Sequence, residues 1–94
     1  MKRQILVCYD TPNTKRRNKI SAHLEKYGAR VNYSVFEIII NDTKLKKLEA
    51  ELSKILKPKE DSVRIYHICE NCLHKSKTLT NDREPFLPVE TLII

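Results

Sequence analysis

Glycine, aromatic residues and long apolar runs are all scarce in this chain, and each scarcity excludes something. One glycine and four prolines in 94 residues do not make a low-complexity or disordered composition. Aromatic residues account for 6%, too sparse for the base-stacking platform of a single-strand-binding protein. No apolar stretch reaches the length needed to span a bilayer. The first residues show no apolar core followed by a small-residue cleavage site, so a cytoplasmic location is expected. Three cysteines, an odd number, argue against a secreted disulfide framework. Cys8, inside the apolar run Ile5-Leu6-Val7-Cys8, is expected to be a buried core thiol.

Positive charge is plentiful. Lys and Arg total 18 against 12 Asp and Glu, a formal net charge of +6. That balance favours an anionic partner, and nucleic acid before a membrane. The length suits one domain, residues 1–94, with a thin core, because small domains bury a lower fraction of their surface. A second copy of the chain is a natural supplement.

The most informative segment is Tyr9-Asp10-Thr11-Pro12-Asn13-Thr14-Lys15-Arg16-Arg17. The apolar run before it reads as a buried strand that delivers one carboxylate, Asp10, into a loop. A helix capped by Asn13 or Thr14 follows, with three cations in its first turn. Cations there oppose the helix dipole. They become favourable if a phosphate sits at that end, because backbone N–H groups, dipole and side chains then attract the same anion. An acid beside a basic helix start suits a divalent metal and a phosphodiester. The competing readings are a solvated basic helix end, and for Asp10 an Asx-turn or cap.

Along the chain, strand one is expected over about Arg3–Tyr9 and helix one over about Lys15–Tyr27, with Ile20, Leu24 and Tyr27 on one face. Gly28 is expected as a left-handed helix cap. Arg30–Ile40 is β-branched and aromatic, hence strand; whether it is one strand or two broken near Ser34 stays open. Its second half is apolar on both sides, so one face needs helices and the other a cover, a second subunit being the simplest. Asn41-Asp42-Thr43 caps helix two, which runs to about Leu56 on a Leu45, Leu48, Leu52, Ile55, Leu56 stripe and stops at Lys57-Pro58. Asp61–Ile68 is the next strand. Residues Glu70–Pro85 read as a polar loop, with a short edge strand near Thr78 as an option. Phe86–Ile94 reads as a last strand that must add to a sheet, its own or a partner's. The order defines an α+β two-layer sandwich of the ferredoxin-like βαββαβ kind.

The chain resembles the CRISPR-associated protein 2 family. The resemblance rests on the strand ending Tyr9-Asp10 before Lys15-Arg16-Arg17-Asn18-Lys19-Ile20, on Tyr27-Gly28-Ala29-Arg30-Val31-Asn32-Tyr33-Ser34-Val35-Phe36-Glu37, on Asp61-Ser62-Val63-Arg64-Ile65-Tyr66, and on Cys69-Glu70-Asn71-Cys72. It implies a homodimer whose C-terminal strand, in residues 81–94 beyond a core of 1–80, crosses to the partner's sheet. It implies that Asp10 from each copy meets at the two-fold axis to hold one magnesium ion. It implies metal-dependent endonuclease activity on single-stranded RNA or double-stranded DNA, and assembly with the larger integrase subunit in spacer acquisition. The alternative is a non-catalytic DNA scaffold within that complex. Tyr9, Asp10, an arginine of the 16–17 pair, Arg30 and Phe36 are the positions tied to activity. Two positions depart from the family pattern: Thr11 replaces an aliphatic residue and Asn32 a glutamine.

One aspartate per chain is too little to hold magnesium well, and a two-fold axis doubles it. Asp10 is the catalytic and metal candidate. Tyr9, Lys15, Arg16, Arg17 and Arg30 are the nucleic-acid candidates, the arginines because a planar fork suits phosphate. Phe36 is expected to pack near the site. Lys44, Lys46 and Lys47 form a second basic cluster, a solvated face or a DNA track. Cys69-x-x-Cys72, with His67 and His74 near it, carries three readings: an inert turn, a zinc or disulfide pair, or a redox pair. The first is favoured, because a redox pair normally opens a helix and this one is expected to lead from a strand into a loop.

Overall fold

The structure is a computed structural model and describes residues 2–86. Alternation organises its centre. In β1 (Lys2–Asp10), Ile5, Val7 and Tyr9 are buried while their neighbours are not, as the two-residue period of a pleated strand requires. In β3 (Val35–Asn41) the same role falls to Phe36, Ile38 and Ile40. The remaining elements are α1 (Thr14–Glu25), β2 (Gly28–Asn32), α2 (Asp42–Ile55), β4 (Ser62–Ile68) and α3 (Glu70–Lys75).

The strands form one sheet in the order β2-β3-β1-β4, antiparallel throughout. This is the ferredoxin-like βαββαβ arrangement with one extra helix. β1 lies between two partners, so both its sides are hydrogen-bonded, and the end carrying Asp10 faces Ser62 of β4. α1 and α2 cover one sheet face. Their Ile20, Leu24, Leu45, Leu48 and Leu52 close the core over Ile5, Val7, Tyr9, Phe36, Ile38 and Ile40.

The other face carries no helix. The register brings Leu6, Cys8, Val35, Glu37, Ile39, Arg64, Tyr66 and Ile68 onto it. Cys8 is therefore half-buried on the helix-free side and not a core thiol, because it is out of phase with Val7 and Tyr9. Glu37 there meets Arg83 Nη2 at 3.6 Å and accepts the Phe86 N–H at 3.0 Å, so the chain after α3 runs back across part of this face.

One open question closes, two expectations change and one lies outside the described residues. Arg30–Ile40 is two strands with a turn at Tyr33-Ser34 and an irregular register between Arg30 and Asn32. Gly28 does not adopt a positive φ; it is the first residue of β2, not a left-handed cap. A Cβ there would collide with the Glu37 carbonyl and come within 2.6 Å of Ile38 Cγ1, so close approach of β3 is what demands glycine. Residues 70–75 are helix rather than loop, and Thr78 lies in no strand. The last strand, Phe86–Ile94, lies outside the described residues except for Phe86, which is in a turn and buried.

Candidate nucleic-acid site at the end of β1

Asp10 is the last residue of β1 and is exposed. Two contacts of its neighbour set its position. The Tyr9 N–H donates to the Ser34 carbonyl at 3.0 Å, and the Tyr9 hydroxyl donates to the Tyr33 carbonyl at 3.1 Å. The β2–β3 turn is thereby clipped to the end of β1. A cleft of about 250 Å³ opens there, lined by Tyr9, Asp10, Thr11, Arg17, Tyr33 and Ser34. No hydrogen bond or ion pair reaches the Asp10 carboxylate among the described residues.

The loop after Asp10 is held from below. Thr11 is 2% exposed. Its hydroxyl donates to Asp61 Oδ1 at 2.5 Å and accepts the Asn13 N–H at 3.2 Å. Asn13 is the N-cap of α1, its side chain accepting the Arg16 N–H at 2.9 Å. Asp61 also accepts the Lys57 N–H at 2.9 Å and two bonds from the Arg16 guanidinium, at 2.7 and 3.1 Å. The Arg16 guanidinium, with the Lys57 N–H and the Thr11 hydroxyl, holds the Asp61 carboxyl well below the usual carboxylate range. Hydrogen bonds to the ionised form outweigh the desolvation that opposes it.

The expected site residues therefore divide. Asp10 and Arg17 come together on one cleft, where Arg17 Nη2 donates to the Thr11 carbonyl at 3.0 Å. Lys15 stands exposed on the first turn of α1. Arg16 is turned inward onto Asp61, its side chain 11% exposed. Tyr9 is 4% exposed and positions the turn from inside the core. Phe36 is fully buried, 6.3 Å from the Tyr9 ring. Arg30 lies across sheet and helix: its guanidinium sits 5.5 Å above the Phe36 ring, bonds the Ser21 hydroxyl, and lies 3.5 Å from Glu25. Sequence reasoning missed Asp61 and Thr11. The one available signal was an acidic residue between a helix stop and a strand whose partner cation lies 45 positions away.

Among the described residues no three His, Cys, Asp or Glu side chains group as metal ligands. Asp10 supplies one hard oxygen donor set, which suits magnesium in kind but not in number.

An antiparallel βαββαβ sandwich with an exposed aspartate at the end of its central β1 strand, beside a basic helix start, defines a small α+β protein of ferredoxin-like fold. The family model described as "CRISPR associated protein Cas2" matches residues 3–76. The chain belongs to that family. It is 41% identical over 68 residues to "CRISPR-associated endoribonuclease Cas2 3" of Synechocystis sp., covering 72% of this chain and 74% of that protein. It is 34% identical over 95 residues to "CRISPR-associated endonuclease Cas2" of Halalkalibacterium halodurans, covering 96% and 97%. Among solved structures, the hypothetical protein TT1823 from Thermus thermophilus superposes with a TM-score of 0.75 at 32% identity, covering 94% of this chain and 99% of that one. A chain of the "Partial Cas6-RT-Cas1--Cas2 complex" superposes with a TM-score of 0.74 at 30% identity, covering 93% and 99%.

Proposed function

We propose that the chain is a magnesium-dependent endonuclease of CRISPR adaptation that acts as a homodimer. The observation that carries this reading is the Asp10 carboxylate: exposed at the end of a doubly paired strand, unengaged among the described residues, and sharing a cleft with Arg17. Two copies related by a two-fold axis bring two such carboxylates together and complete a ligand set that one copy lacks. Asp10 of each copy would hold a magnesium ion, which would supply Lewis-acid activation of water and of a phosphoryl oxygen. Arg17 and Lys15 draw the phosphodiester to the start of α1, where the free N–H groups and the helix dipole favour an anion. Tyr9, through Tyr33 and Ser34, and Asp61, through Thr11, keep the aspartate at its place.

The helix-free sheet face is the surface on which the second copy docks. Leu6, Val35, Ile39, Ile68 and the 44%-exposed Tyr66 lie on it, an apolar set that water disfavours. Residues 1–94 act as one domain, with residues 81–94 adding to the partner's sheet. The described start of that segment, Arg83 and Phe86, contacts Glu37 of the same chain at the helix-free face.

A second reading is a non-catalytic DNA scaffold assembled with the larger integrase subunit. The net charge of +6 and the likeness to a chain of a Cas1–Cas2 complex favour it. Arg30 contacts Ser21, Glu25 and Phe36, yet its side chain stays 42% exposed and open to a phosphate in either reading. Cleavage of RNA and of duplex DNA, with and without magnesium, beside Asp10→Ala, separates the two. Magnesium-dependent cutting abolished by the variant, with DNA binding intact, supports the enzyme. Cutting that survives the substitution overturns the role of Asp10. DNA binding with no cutting by the unsubstituted protein leaves the scaffold.

A further inference from the structure

The function proposed for the β1 end leaves Cys69 and Cys72 unused, at the opposite end of β4. The inert reading of this pair requires that it lead into a loop. Instead Cys69 is the N-cap of α3, and its Sγ accepts the Cys72 N–H at 3.3 Å. Both thiols are exposed. The three-residue spacing and that bond bring the backbone of Cys72 against the Cys69 sulfur. α3 contributes no buried residue, so the packed core does not constrain it. No third Cys, His, Asp or Glu joins them as a metal-ligand group among the described residues, which favours sulfur chemistry over a metal.

We propose that Cys69 and Cys72 are a thiol–disulfide exchange pair, closed to an intramolecular disulfide by a low-molecular-weight disulfide such as oxidised glutathione. Cys69 is the attacking group. The hydrogen bond from the Cys72 N–H holds its pKa below that of an ordinary thiol, whereas the neighbouring Cys69 sulfur raises that of Cys72. The Cys69 thiolate attacks one sulfur of the small disulfide. A protein–glutathione S–S bond forms, the glutathione S–S bond breaks, and one glutathione thiolate leaves and takes up the proton that Cys69 gave to water. Cys72 then loses its proton, and its thiolate attacks Cys69 Sγ. The Cys69–Cys72 bond forms as the second glutathione leaves and is protonated. Two protein thiols are oxidised by two electrons, and one glutathione disulfide is reduced to two thiols. Reversal needs only a thiol of the same class. The bond ties the end of β4 to the first turn of α3, beside the groove lined by Lys2, Arg3, Gln4, His67, Ile68, Cys69 and Glu70.

Intact mass and peptide mapping of the full chain, after incubation with oxidised glutathione, test this. The unsubstituted protein is expected to lose two hydrogen masses between Cys69 and Cys72 and to retain no glutathione there. Cys72→Ser is expected to stop at a glutathione adduct on Cys69. Cys69→Ser, which keeps an N-cap oxygen, is expected to react at Cys72 several-fold more slowly. A lasting adduct on the unsubstituted protein, equal reactivity of the two thiols, or one bound zinc per chain that shields both from glutathione would each overturn the proposal. The measurement on the unsubstituted protein stands even if a variant folds poorly.

Discussion

Arg16 Nε lies 2.7 Å from Asp61 Oδ2, and Nη2 lies 3.1 Å from Oδ1, in a two-pronged pair whose carboxylate side chain is wholly enclosed. Only a guanidinium presents two parallel donors to one carboxylate. The pair joins the first turn of α1 to the loop before β4, and with Thr11 on the same carboxylate it underlies the position of Asp10. One of the first-turn cations on α1 is thus an internal group, and in the proposed function the phosphate-facing role falls to its neighbours.

Arg16→Ala and Arg17→Ala are expected to fail in different ways. The first leaves the Asp61 carboxylate enclosed without its cation, a strongly destabilising change, and lowers the unfolding midpoint by several degrees while leaving the salt dependence of DNA binding in place. The second removes a cation at the cleft. It keeps the midpoint and reduces the slope of log affinity against log salt by about one for each phosphate that is no longer neutralised. Thermal melts and anisotropy titrations at several salt concentrations check both; an equal reduction of slope in the two variants contradicts the inward role of Arg16.

Acid is expected to loosen the same joint. The Asp61 carboxyl titrates below its ordinary range in the folded chain, chiefly because of the Arg16 hydrogen bond. The unfolded chain therefore takes up the proton first as pH falls. The stability linked to Asp61 is present above its unfolded pKa of about 4 and is lost progressively as pH drops below that. Asp42 is shifted the same way by Arg3, but that pair is exposed and screened by solvent, so its share is small. Melts from about pH 5 to about pH 2 should fall more steeply for the unsubstituted protein than for Asp61→Asn, which starts lower.

Gly28→Ala is expected to cost about 1–3 kcal/mol, the range for forcing extra volume into a packed site. The new methyl meets the Glu37 carbonyl and Ile38, both on the paired strand β3. Urea titration gives the figure. A neutral result contradicts close strand approach as the reason for the only glycine.

Phe36→Ala is expected to cost about 3–5 kcal/mol, since the ring is fully buried between Tyr9 and the Arg30 guanidinium. Any fall in cleavage should then follow the fall in folded protein. Assays well below the melting midpoint check this: full inactivation of a still-folded variant contradicts a packing role.

α2 is legible residue by residue, and β1 as a strand though not face by face. The continuous run Ile5-Leu6-Val7-Cys8 hides that Cys8 is out of phase with Ile5, Val7 and Tyr9, whereas Leu45, Leu48 and Leu52 recur at helical spacing after the Asn41 cap, because period and capping are written within a few consecutive positions. Asp10 at a strand end beside a basic helix is legible for the same reason. The break at Tyr33-Ser34 is not, since both halves of the segment carry strand-type residues and the turn is stabilised by Tyr9, 24 and 25 positions away, through its hydroxyl and its N–H. α3 escapes a sequence reading because it buries nothing and so shows no apolar period. Which cation answers Asp61 depends on how the start of α1 meets a loop 45 residues away. Adjacent arginines look alike in a string of residues, and only the folded chain gives one of them a carboxylate and the other an open cleft.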